Sequence, residues 1–544
     1  MEYIFINYSK KIMDAFRSTG NVNTNFLSVF EPFPALVKPI LSVLIWICTA
    51  LLATSAQSQD PKFNPDTYKQ LTSRVMTHYL EQNDEQKIKA AAFLLRHLPY
   101  HKSENLLWLD ENNNNTNFNE LAYASYGDAL AAFDTLKSKT KLHPQPVEYA
   151  DIEALNASFL IDNIDRAYEQ WQKNSWSQQY NFQTFLEYIL PYRSLTEPLQ
   201  PWREEYCQFF TSTTSNLADP TDPIEICTNI IEKIEDFEYI MFRKEPLPLL
   251  GPRQLLFREQ GSCPDFANLI VYAARSLGIA TTFDFTPFWA ASSSSHMWNT
   301  VIDKTGKHVA FDNYEFYKPT FDRRLGKVFR ATYPVQPSSL ASKIDLKFIP
   351  EGFLKNKKLI DVTQEYLETH GFDYTYAQPS ISGVGFVYVF NKGNWQPTDW
   401  ANTSPEGHHI RFENLGAEIV YLPGLFVDGA HQLAKTPVVL QKSGATTILK
   451  ASPRSTFSCT LSRENEMITE YKDNNPLQIV DNTTYTLEYW SGNWITIDDV
   501  IAQGDSVTFE KIPGNALYRL TSQDHLEYAR IFTIDPKNCK ISWY

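Results

Sequence analysis

Apolar and polar residues follow a helical period through the first part of the chain. In "DEQKIKAAAFLLRHL", Asp84 is placed to cap a helix, apolar residues recur along one stripe, and Pro99 ends the pattern. The stretch "NFQTFLEYILPYR" repeats this style, and "PIEICTNIIEKIEDF" begins with Pro223 at a position that suits the start of a helix. The pattern therefore predicts a helical region over residues 57–235.

The period changes after this region. A helix-like apolar run follows Cys263, and strand-like runs follow in "ATTFDFTPFWA", "HMWNTVID" and "KHVAFDNYEF". Beyond about residue 375 the helical signal fades, and short strand-like runs separated by turns replace it. These changes predict a mixed core over residues 236–375 and two all-β modules over residues 380–450 and 451–544.

The two predicted modules share an internal repeat. Each contains an aromatic strand, a Gly-Asn-Trp turn (Gly393–Trp395 and Gly492–Trp494) and a second strand that ends in Phe-Glu. Gly-Asn supplies the backbone freedom that a tight hairpin needs. We therefore expect two small β-sandwich modules, with both tryptophans in the core in preference to a sugar-stacking surface.

The length and net charge of the chain limit its number of domains and the partners that it can bind. A chain of 544 residues is too long for one hydrophobic core, so roughly two to four domains are expected. The net charge is −14 and no long block of Lys or Arg occurs, which excludes a nucleic-acid partner. The aromatic fraction of 14% suits β-rich modules and peptide or carbohydrate surfaces, but it suits ordinary cores equally.

The N-terminal stretch "LVKPILSVLIWICTALLATSAQSQD" has the pattern of a secretory signal. Lys38 precedes an apolar run over residues 40–53, and small residues follow. The run is short for a comfortable transmembrane span. We therefore predict that residues 1–56 are a signal peptide or an N-terminal anchor and that the protein is extracytoplasmic, in the periplasm or on the cell surface. Membrane association is expected through this segment alone.

Five cysteines remain after this segment, so at least one thiol is unpaired within a monomer: Cys207, Cys227, Cys263, Cys459 and Cys539. In "QGSCPDFANLIVYAARSLG", Pro264 suits the first position of a helix and Gly278 suits its C-terminal stop. Cys263 would then lie at the positive end of a helix dipole, which favours a thiolate, although Asp265 would partly oppose it. A structural thiol is the alternative interpretation.

A thiolate that attacks an amide also needs a proton donor and a group that orients this donor. The stretch "SSSSHMWNTVIDKTGKHVAFDNYE" predicts a hairpin that brings His296 and Asp312 within about two positions of each other. His308 is the competing histidine, but it lies nearer the turn. Cys263, His296 and Asp312 are therefore the candidate catalytic residues. The chemistry requires no cofactor and no metal, and the adjacent pair His408-His409 in a polar loop does not suggest a metal site.

The segments "GSCPDFANLIVYAARSLGIATTFDF", "HMWN" and "VAFDN" resemble the core of the transglutaminase-like superfamily, within the wider papain-like group. The resemblance implies an α+β papain-like core in which Cys263 is the nucleophile, His296 the general base and acid, and Asp312 the orienting carboxylate. It implies a packing role for Trp298. The helical stretch "FLEYILPYRSLTEPLQPWRE" more loosely resembles multi-domain exported members from Bacteroidetes-type bacteria.

The resemblance implies an exported cysteine enzyme that cleaves amide bonds of peptide, protein or glycopeptide substrates through a thioester. Hydrolysis is favoured over transamidation, although the superfamily also includes crosslinking enzymes. The alternative is a surface glycan- or peptide-binding protein with a non-catalytic papain-like scaffold. The backbone N–H of Cys263 is one expected oxyanion donor, and both Trp289 and Gln260 remain candidates for the second.

Overall fold

The computed structural model describes residues 63–240, 248–312, 324–462, 479–522 and 529–544. The predicted signal or anchor, residues 1–56, lies outside these ranges. Every helix of the described ranges is too short or too polar to cross a membrane. The elements below all belong to one unit, residues 59–544.

Helices dominate the chain before residue 240, and polar side chains cap many of their first turns. Asp84 accepts a hydrogen bond from the backbone N–H of Lys87 at 3.0 Å, as the sequence predicts. Asp222 caps the helix whose first residue is Pro223. The helices are α1 Pro65–Gln82, α2 Glu85–His97, α3 Tyr126–Lys139, α4 Asp151–Ala154, α5 Ala157–Lys173, α6 Phe182–Thr184, α7 Arg203–Phe210, α8 Pro223–Lys233, α9 Pro252–Arg258, α10 Cys263–Ser276 and α11 Thr363–Tyr366.

One part of the predicted helical region is not helical. Strands β1 (Lys102–Leu109) and β2 (His143–Ala150) pair antiparallel, with α3 between them in the chain. The helical prediction missed this pair because β1 shows no clean alternation and β2 contains two prolines, which a two-stranded edge tolerates. We call residues 102–150 the hairpin lobe.

The core is a five-stranded antiparallel sheet packed against α10. Its strand order is β7-β6-β5-β8-β9. A hydrophobic cluster joins α10 to α7, α8 and the β6–β7 hairpin through residues such as Tyr206, Ile230, Ile270 and Val301. The strands are β5 Thr281–Thr286, β6 His296–Ile302, β7 His308–Phe311, β8 Phe329–Ala331 and β9 Leu359–Asp361, and a short parallel pair, β3 Glu238–Tyr239 and β4 Gln260–Gly261, precedes α10.

The C-terminal strands occur in two sets with the same topology. In the first set β10 pairs with β13, and a larger sheet contains the order β12-β11-β14-β16-β17, with β15 beside β14; in the second set β18 pairs with β21, and the order is β20-β19-β22-β23-β24. The matching order supports the internal repeat. The strands are β10 His370–Thr375, β11 Val384–Asn391, β12 Asn394–Asn402, β13 His409–Leu415, β14 Ile419–Val427, β15 Ala430–Leu433, β16 Val438–Leu440, β17 Thr446–Ile448, β18 Ser452–Ser462, β19 Thr484–Trp490, β20 Trp494–Ile501, β21 Ser506–Gly514, β22 Tyr518–Thr521, β23 Ile531–Ile534 and β24 Ile541–Trp543.

The turn tryptophans of the two repeats lie in one aromatic cluster. Trp395 is buried and its ring centroid lies 5.6 Å from that of Trp490, which in turn lies 5.3 Å from Trp494. The structure is thus a mixed α/β, multi-sheet protein with many C-terminal strands. The domain boundaries and the β-sandwich arrangement stay predictions.

Candidate active site

Helix α10 begins at Cys263, and its start is fixed by a reciprocal cap. Ser262 is the N-cap, and the Oδ2 atom of Asp265 accepts hydrogen bonds from the Ser262 backbone N–H (2.9 Å) and hydroxyl (2.6 Å). Pro264 is therefore the second helical residue, one position later than the sequence suggests. The buried Asp265 carboxylate also accepts from the backbone N–H of Leu250 at 3.1 Å, so hydrogen bonds to the cap and to a neighbouring segment offset its charge.

The far end of α10 is tied to the helical region. Gly278 has a φ of +80°, as the predicted helix stop requires, and a Cβ there would approach the Ser177 hydroxyl to 2.6 Å. The buried Arg275 guanidinium donates hydrogen bonds to the carbonyls of Tyr188 (3.0 Å) and Arg193 (2.8 Å). Arg275 and Gly278 thus anchor the helix that carries Cys263.

The β6–β7 hairpin brings the predicted histidine and aspartate together. Asn299 pairs with Phe311 in its register, and continuing that register sets Asp312 opposite Trp298, two positions from His296. The turn is closed by hydrogen bonds between Asp303 and residues 306–307. The two-position offset that the sequence predicts is confirmed.

Cys263, His296 and Asp312 form a continuous chain of contacts. The Cys263 Sγ lies 3.5 Å from Nδ1 of His296, and Nε2 of His296 donates to Oδ2 of Asp312 at 2.6 Å. The Sγ also lies 3.1 Å from the carbonyl oxygen of Met297, to which a protonated thiol donates. This order of atoms presents one imidazole nitrogen to sulfur and the other to a carboxylate.

The charged form of His296 is stabilised by its partners. Burial acts to lower the pKa of the imidazole, but hydrogen bonds to Asp312 and Cys263 outweigh it and raise the pKa to about 10. The imidazolium is therefore the dominant form at neutral pH. A protonated imidazole beside a sulfur is suited to donate a proton to a leaving amine.

The loop that precedes His296, residues 287–295, is held by residues far along the chain. The buried Asn391 Nδ2 donates to the carbonyls of Trp289 (2.8 Å), Ser292 (2.7 Å) and Ser294 (2.9 Å). The buried Arg530 guanidinium donates to the carbonyl of Ala290. The two C-terminal sets of strands thus each supply one side chain to this active-site loop. The sequence analysis missed both residues, since neither lies in a recognisable motif.

The two candidates for a second oxyanion donor lie in different places. The Trp289 ring stacks on the His296 ring with centroids 6.3 Å apart and planes at 21°. Gln260 lies in β4, before Cys263 in the chain. Trp289 is thus the candidate that the loop holds against the imidazole.

A buried polar network supports the strand that carries His296. Trp298 Nε1 donates to the Tyr366 hydroxyl (2.9 Å), which donates to Asp284 Oδ2 (2.6 Å). Arg330 pairs with both oxygens of Asp284 at 2.8–2.9 Å. Burial raises the pKa of Asp284, although Arg330 opposes this effect. Trp298 is therefore packed and anchored, as the sequence suggests.

The remaining cysteines and the competing histidine lie away from this chain of contacts. None of the five cysteines within the described ranges forms a disulfide, although the side chains of Cys459 and Cys539 are in contact. His308 pairs with Ile302 at the turn end of the hairpin, and burial lowers its pKa to about 3. The described residues contain no cluster of side chains suited to hold a metal ion.

Comparison with known proteins supports the family of the core. Residues 211–313, which include Cys263, His296 and Asp312, match the model of the transglutaminase-like superfamily. No curated protein matches the chain. The crystal structure of red sea bream transglutaminase aligns over 81% of this chain and 76% of its own, with 10% identity and a TM-score of 0.19, a similarity too low to transfer any detail. The match supports a transglutaminase-like domain at residues 211–313.

Proposed function

We propose that this protein is an exported cysteine enzyme that hydrolyses amide bonds of peptide or glycopeptide substrates through a thioester acyl-enzyme. The observation that carries the proposal is the chain of contacts from Cys263 Sγ through His296 to Asp312. Export is supported by the N-terminal sequence pattern alone. The C-terminal sets of strands are proposed as β-sandwich modules, because each set shares one hydrophobic cluster between its two sheets.

The first chemical step is attack on the substrate carbonyl. Attack starts from the ion pair of a Cys263 thiolate and the His296 imidazolium, in which the thiol proton has already passed to Nδ1, and the sulfur turns from the Met297 carbonyl to the substrate. Sulfur forms a bond to the carbonyl carbon, and the backbone N–H of Cys263, at the start of α10, faces the developing oxyanion. The imidazolium then protonates the leaving amine, and the C–N bond breaks to give a thioester.

The second step returns the enzyme to its starting state. The neutral imidazole of His296 takes a proton from water, and the hydroxide attacks the thioester carbonyl. The C–S bond breaks, the carboxylic acid departs as product, and the sulfur remains on Cys263 as a thiolate beside the imidazolium. Asp312 holds the imidazole orientation in both steps because its carboxylate accepts from Nε2. We propose water as acceptor in preference to an amine because water needs no second substrate site.

A labelling experiment tests the nucleophile directly. Iodoacetamide is expected to alkylate Cys263 faster than the other described cysteines near pH 7, and His296→Ala is expected to slow this alkylation by about 10-fold or more. Peptide mapping by mass spectrometry identifies the labelled residue. Equal rates in the wild type and His296→Ala would contradict the proposal and favour a surface binding protein with a non-catalytic scaffold. Incubation with a peptide and glycopeptide library then identifies the substrate from its product masses.

A further inference from the structure

Two cysteines outside the proposed active site lie close together in the second set of C-terminal strands. Cys459 belongs to β18, and Cys539 belongs to the turn between β23 and β24. The Cys539 Sγ lies 3.7 Å from the carbonyl oxygen of Ser458, the residue that precedes Cys459, and the two cysteine side chains are in contact. The fold therefore brings together two thiols that are far apart in the chain.

Both cysteines contact one hydrophobic cluster from different sheets. Cys459 and Leu461 are the buried positions near the end of β18, with an exposed residue between them, and both belong to this cluster. Cys539 packs against the same cluster from its turn. Strand β18 pairs with β21, whereas β24, which follows the turn, is the edge strand of the larger sheet. A bond between the two sulfurs would therefore join the two sheets of the second set.

The backbone of Cys539 has a conformation that rarely selects cysteine. Its φ is +56°, in the left-handed region where turns usually have Gly or Asn. The turn is closed by backbone hydrogen bonds of 2.9 Å, from the Cys539 N–H to the Asp535 carbonyl and from the Asp535 N–H to the Lys540 carbonyl. The turn thus holds the thiol beside β18 and does not itself need a cysteine at this position.

The two thiols differ in exposure, and this difference sets the order in which they react. Cys459 is only 3% exposed, and burial, with a smaller effect of Cys539, raises its pKa to about 12. Cys539 is half-buried, so a reagent in solution can reach its sulfur. Thiol exchange requires access to the attacking sulfur, so Cys539 is the residue that an oxidant meets first.

We propose that Cys459 and Cys539 form a structural disulfide, with a small disulfide such as glutathione disulfide as the oxidant. The Cys539 sulfur attacks one sulfur of glutathione disulfide, which gives a mixed disulfide and releases one glutathione thiol. The Cys459 sulfur then attacks the Cys539 sulfur and releases the second glutathione thiol. Two protein thiols are thus oxidised to one disulfide, one glutathione disulfide is reduced to two thiols, and both cysteine protons leave on glutathione.

The bond would close a loop that contains residues 460–538, which include β19 to β23. A disulfide that closes a long loop stabilises the fold by restricting the unfolded chain. This loop also carries Arg530, which binds the Ala290 carbonyl in the loop before His296. The disulfide would therefore stabilise the strands that support the candidate active site. Its formation in the cell rests on the proposed export, because disulfides persist in oxidising compartments, whereas the pairing itself stands on the two side chains.

The pairing test uses the full chain with Cys263→Ala, so that the proposed nucleophile does not react with the oxidant. The reduced protein is equilibrated with glutathione disulfide at neutral pH and then unfolded, its remaining thiols are alkylated with N-ethylmaleimide, and the unreduced digest is mapped by mass spectrometry. We expect the peptides of Cys459 and Cys539 to be crosslinked, with the loss of two hydrogen atoms, and Cys207 and Cys227 to be alkylated. Alkylated or glutathione-bound Cys459 and Cys539, or a crosslink from either to another cysteine, would overturn the proposal.

Thermal unfolding of the same protein tests the structural role of the bond. Oxidation should raise the melting temperature by about 3 °C or more over that of the reduced protein. Cys459→Ser and Cys539→Ser should each abolish this gain. Cys207→Ser is the matched control and should keep the gain, since Cys207 is also a half-buried cysteine but lies in α7, outside the second set of strands. An equal gain in Cys539→Ser would show that the bond does not stabilise the fold.

Two further measurements separate this proposal from the proposed function. Protein isolated from the extracytoplasmic fraction of a bacterial host, with its thiols blocked at lysis, should already contain the crosslinked peptides. Pairing in glutathione disulfide but free thiols in the isolated protein would leave the disulfide assigned and contradict export. Absence of amide hydrolysis by the crosslinked wild type would likewise leave the disulfide assigned and remove the hydrolase.

Discussion

The two sides of the candidate active site are built in different ways. Helix α10, which carries Cys263, is held by a cap over residues 262–265 at its start and by a glycine stop at its end. The loop before His296 is held by Asn391, whose partners lie 97 to 102 residues away in the chain, and by Arg530, whose partner lies 240 residues away. The start of α10 at Cys263 is fixed by its local cap and its far end is held by the helical region through Arg275, whereas the surroundings of the histidine depend on the C-terminal strands.

The two sides of the candidate site should respond differently to changes in the C-terminal strands. A local cap forms whenever its helix forms, so the start of α10 should tolerate changes in the C-terminal strands. Buried carbonyls that rely on one side chain lose their partner when that side chain changes, and leaving them unpaired costs about 1–3 kcal/mol. The His296 side should therefore be the part of the site that responds to changes in the C-terminal strands.

The largest effect is expected from the sulfur itself. Cys263→Ser should abolish amide hydrolysis, because a serine hydroxyl at this position is a far weaker nucleophile than a thiolate. The free energy of unfolding should change by no more than about 1 kcal/mol, since one atom changes at a helix start. Denaturant unfolding and a turnover assay check both. A protein that unfolds readily would show that Cys263 is a structural thiol.

The next largest effect is expected at the far end of the contact chain. Asp312→Asn should lower the rate by roughly 10²–10⁴ with the fold retained, because the imidazole loses its charged acceptor. The measurement is kcat/KM beside a circular dichroism spectrum. Asp303→Asn, in the turn of the same hairpin, is the control and should leave the rate within a few-fold. Full activity in Asp312→Asn would mean that another group orients His296.

Asn391→Leu tests whether the C-terminal strands support the loop before His296. This substitution keeps the branched shape but removes the side-chain donor to the carbonyls of Trp289, Ser292 and Ser294, so unfolding should become easier by about 1–3 kcal/mol. Turnover should fall by about 10-fold, because Trp289 and His296 lose their fixed relation.

The control for this variant is Asn402→Leu, at an exposed end of β12. It should change neither stability nor rate. If Asn391→Leu lowers the free energy of unfolding but leaves turnover unchanged, the loop before His296 has a structural role only. The expectation that the C-terminal strands influence the chemistry through this loop would then be wrong.

The pH dependence of stability and turnover tests the raised pKa of His296. The folded-state pKa of His296, about 10, lies above its ordinary value of 6.5, so the imidazolium stabilises the fold below pH 6.5 and this stabilisation is lost as the pH rises through about 10. The kcat/KM profile should fall over the same alkaline range, and Asp312→Asn should move that fall to lower pH. If the fall of kcat/KM at alkaline pH stays in the same range in Asp312→Asn, a group other than His296 causes this fall.

The smallest effect is expected at the cap of α10. Ser262→Ala should lower the free energy of unfolding by about 1 kcal/mol and leave turnover within about threefold, because Asp265 still accepts from the Ser262 backbone N–H. Ser125→Ala, at the corresponding cap of α3, is the matched control for stability. A large loss of activity in Ser262→Ala alone would show that the cap acts on the chemistry and would weaken the contrast between the two sides.

The features of the candidate site that lie within one helix or one hairpin could be predicted from the sequence. The helix after Cys263, the glycine stop and the offset between His296 and Asp312 all follow from spacing within one helix or one hairpin. The β1–β2 pair was missed because its strands lack alternation, and Asn391 was missed because a buried amide that binds a distant loop has no sequence signature of its own. Long-range hydrogen bonds of this kind become visible only in the folded protein.

The contact between Arg530 and Ala290 also bears on the order in which the loop before His296 gains its support. Chains grow from the N-terminus, and their earlier parts fold first. Cys263 and His296 are therefore made well before Arg530, whose contact with Ala290 spans 240 residues. It follows that a nascent chain holds its thiol and imidazole without the final support of their loop. A chain that ends before Arg530 should therefore hold this loop less firmly than the complete protein does.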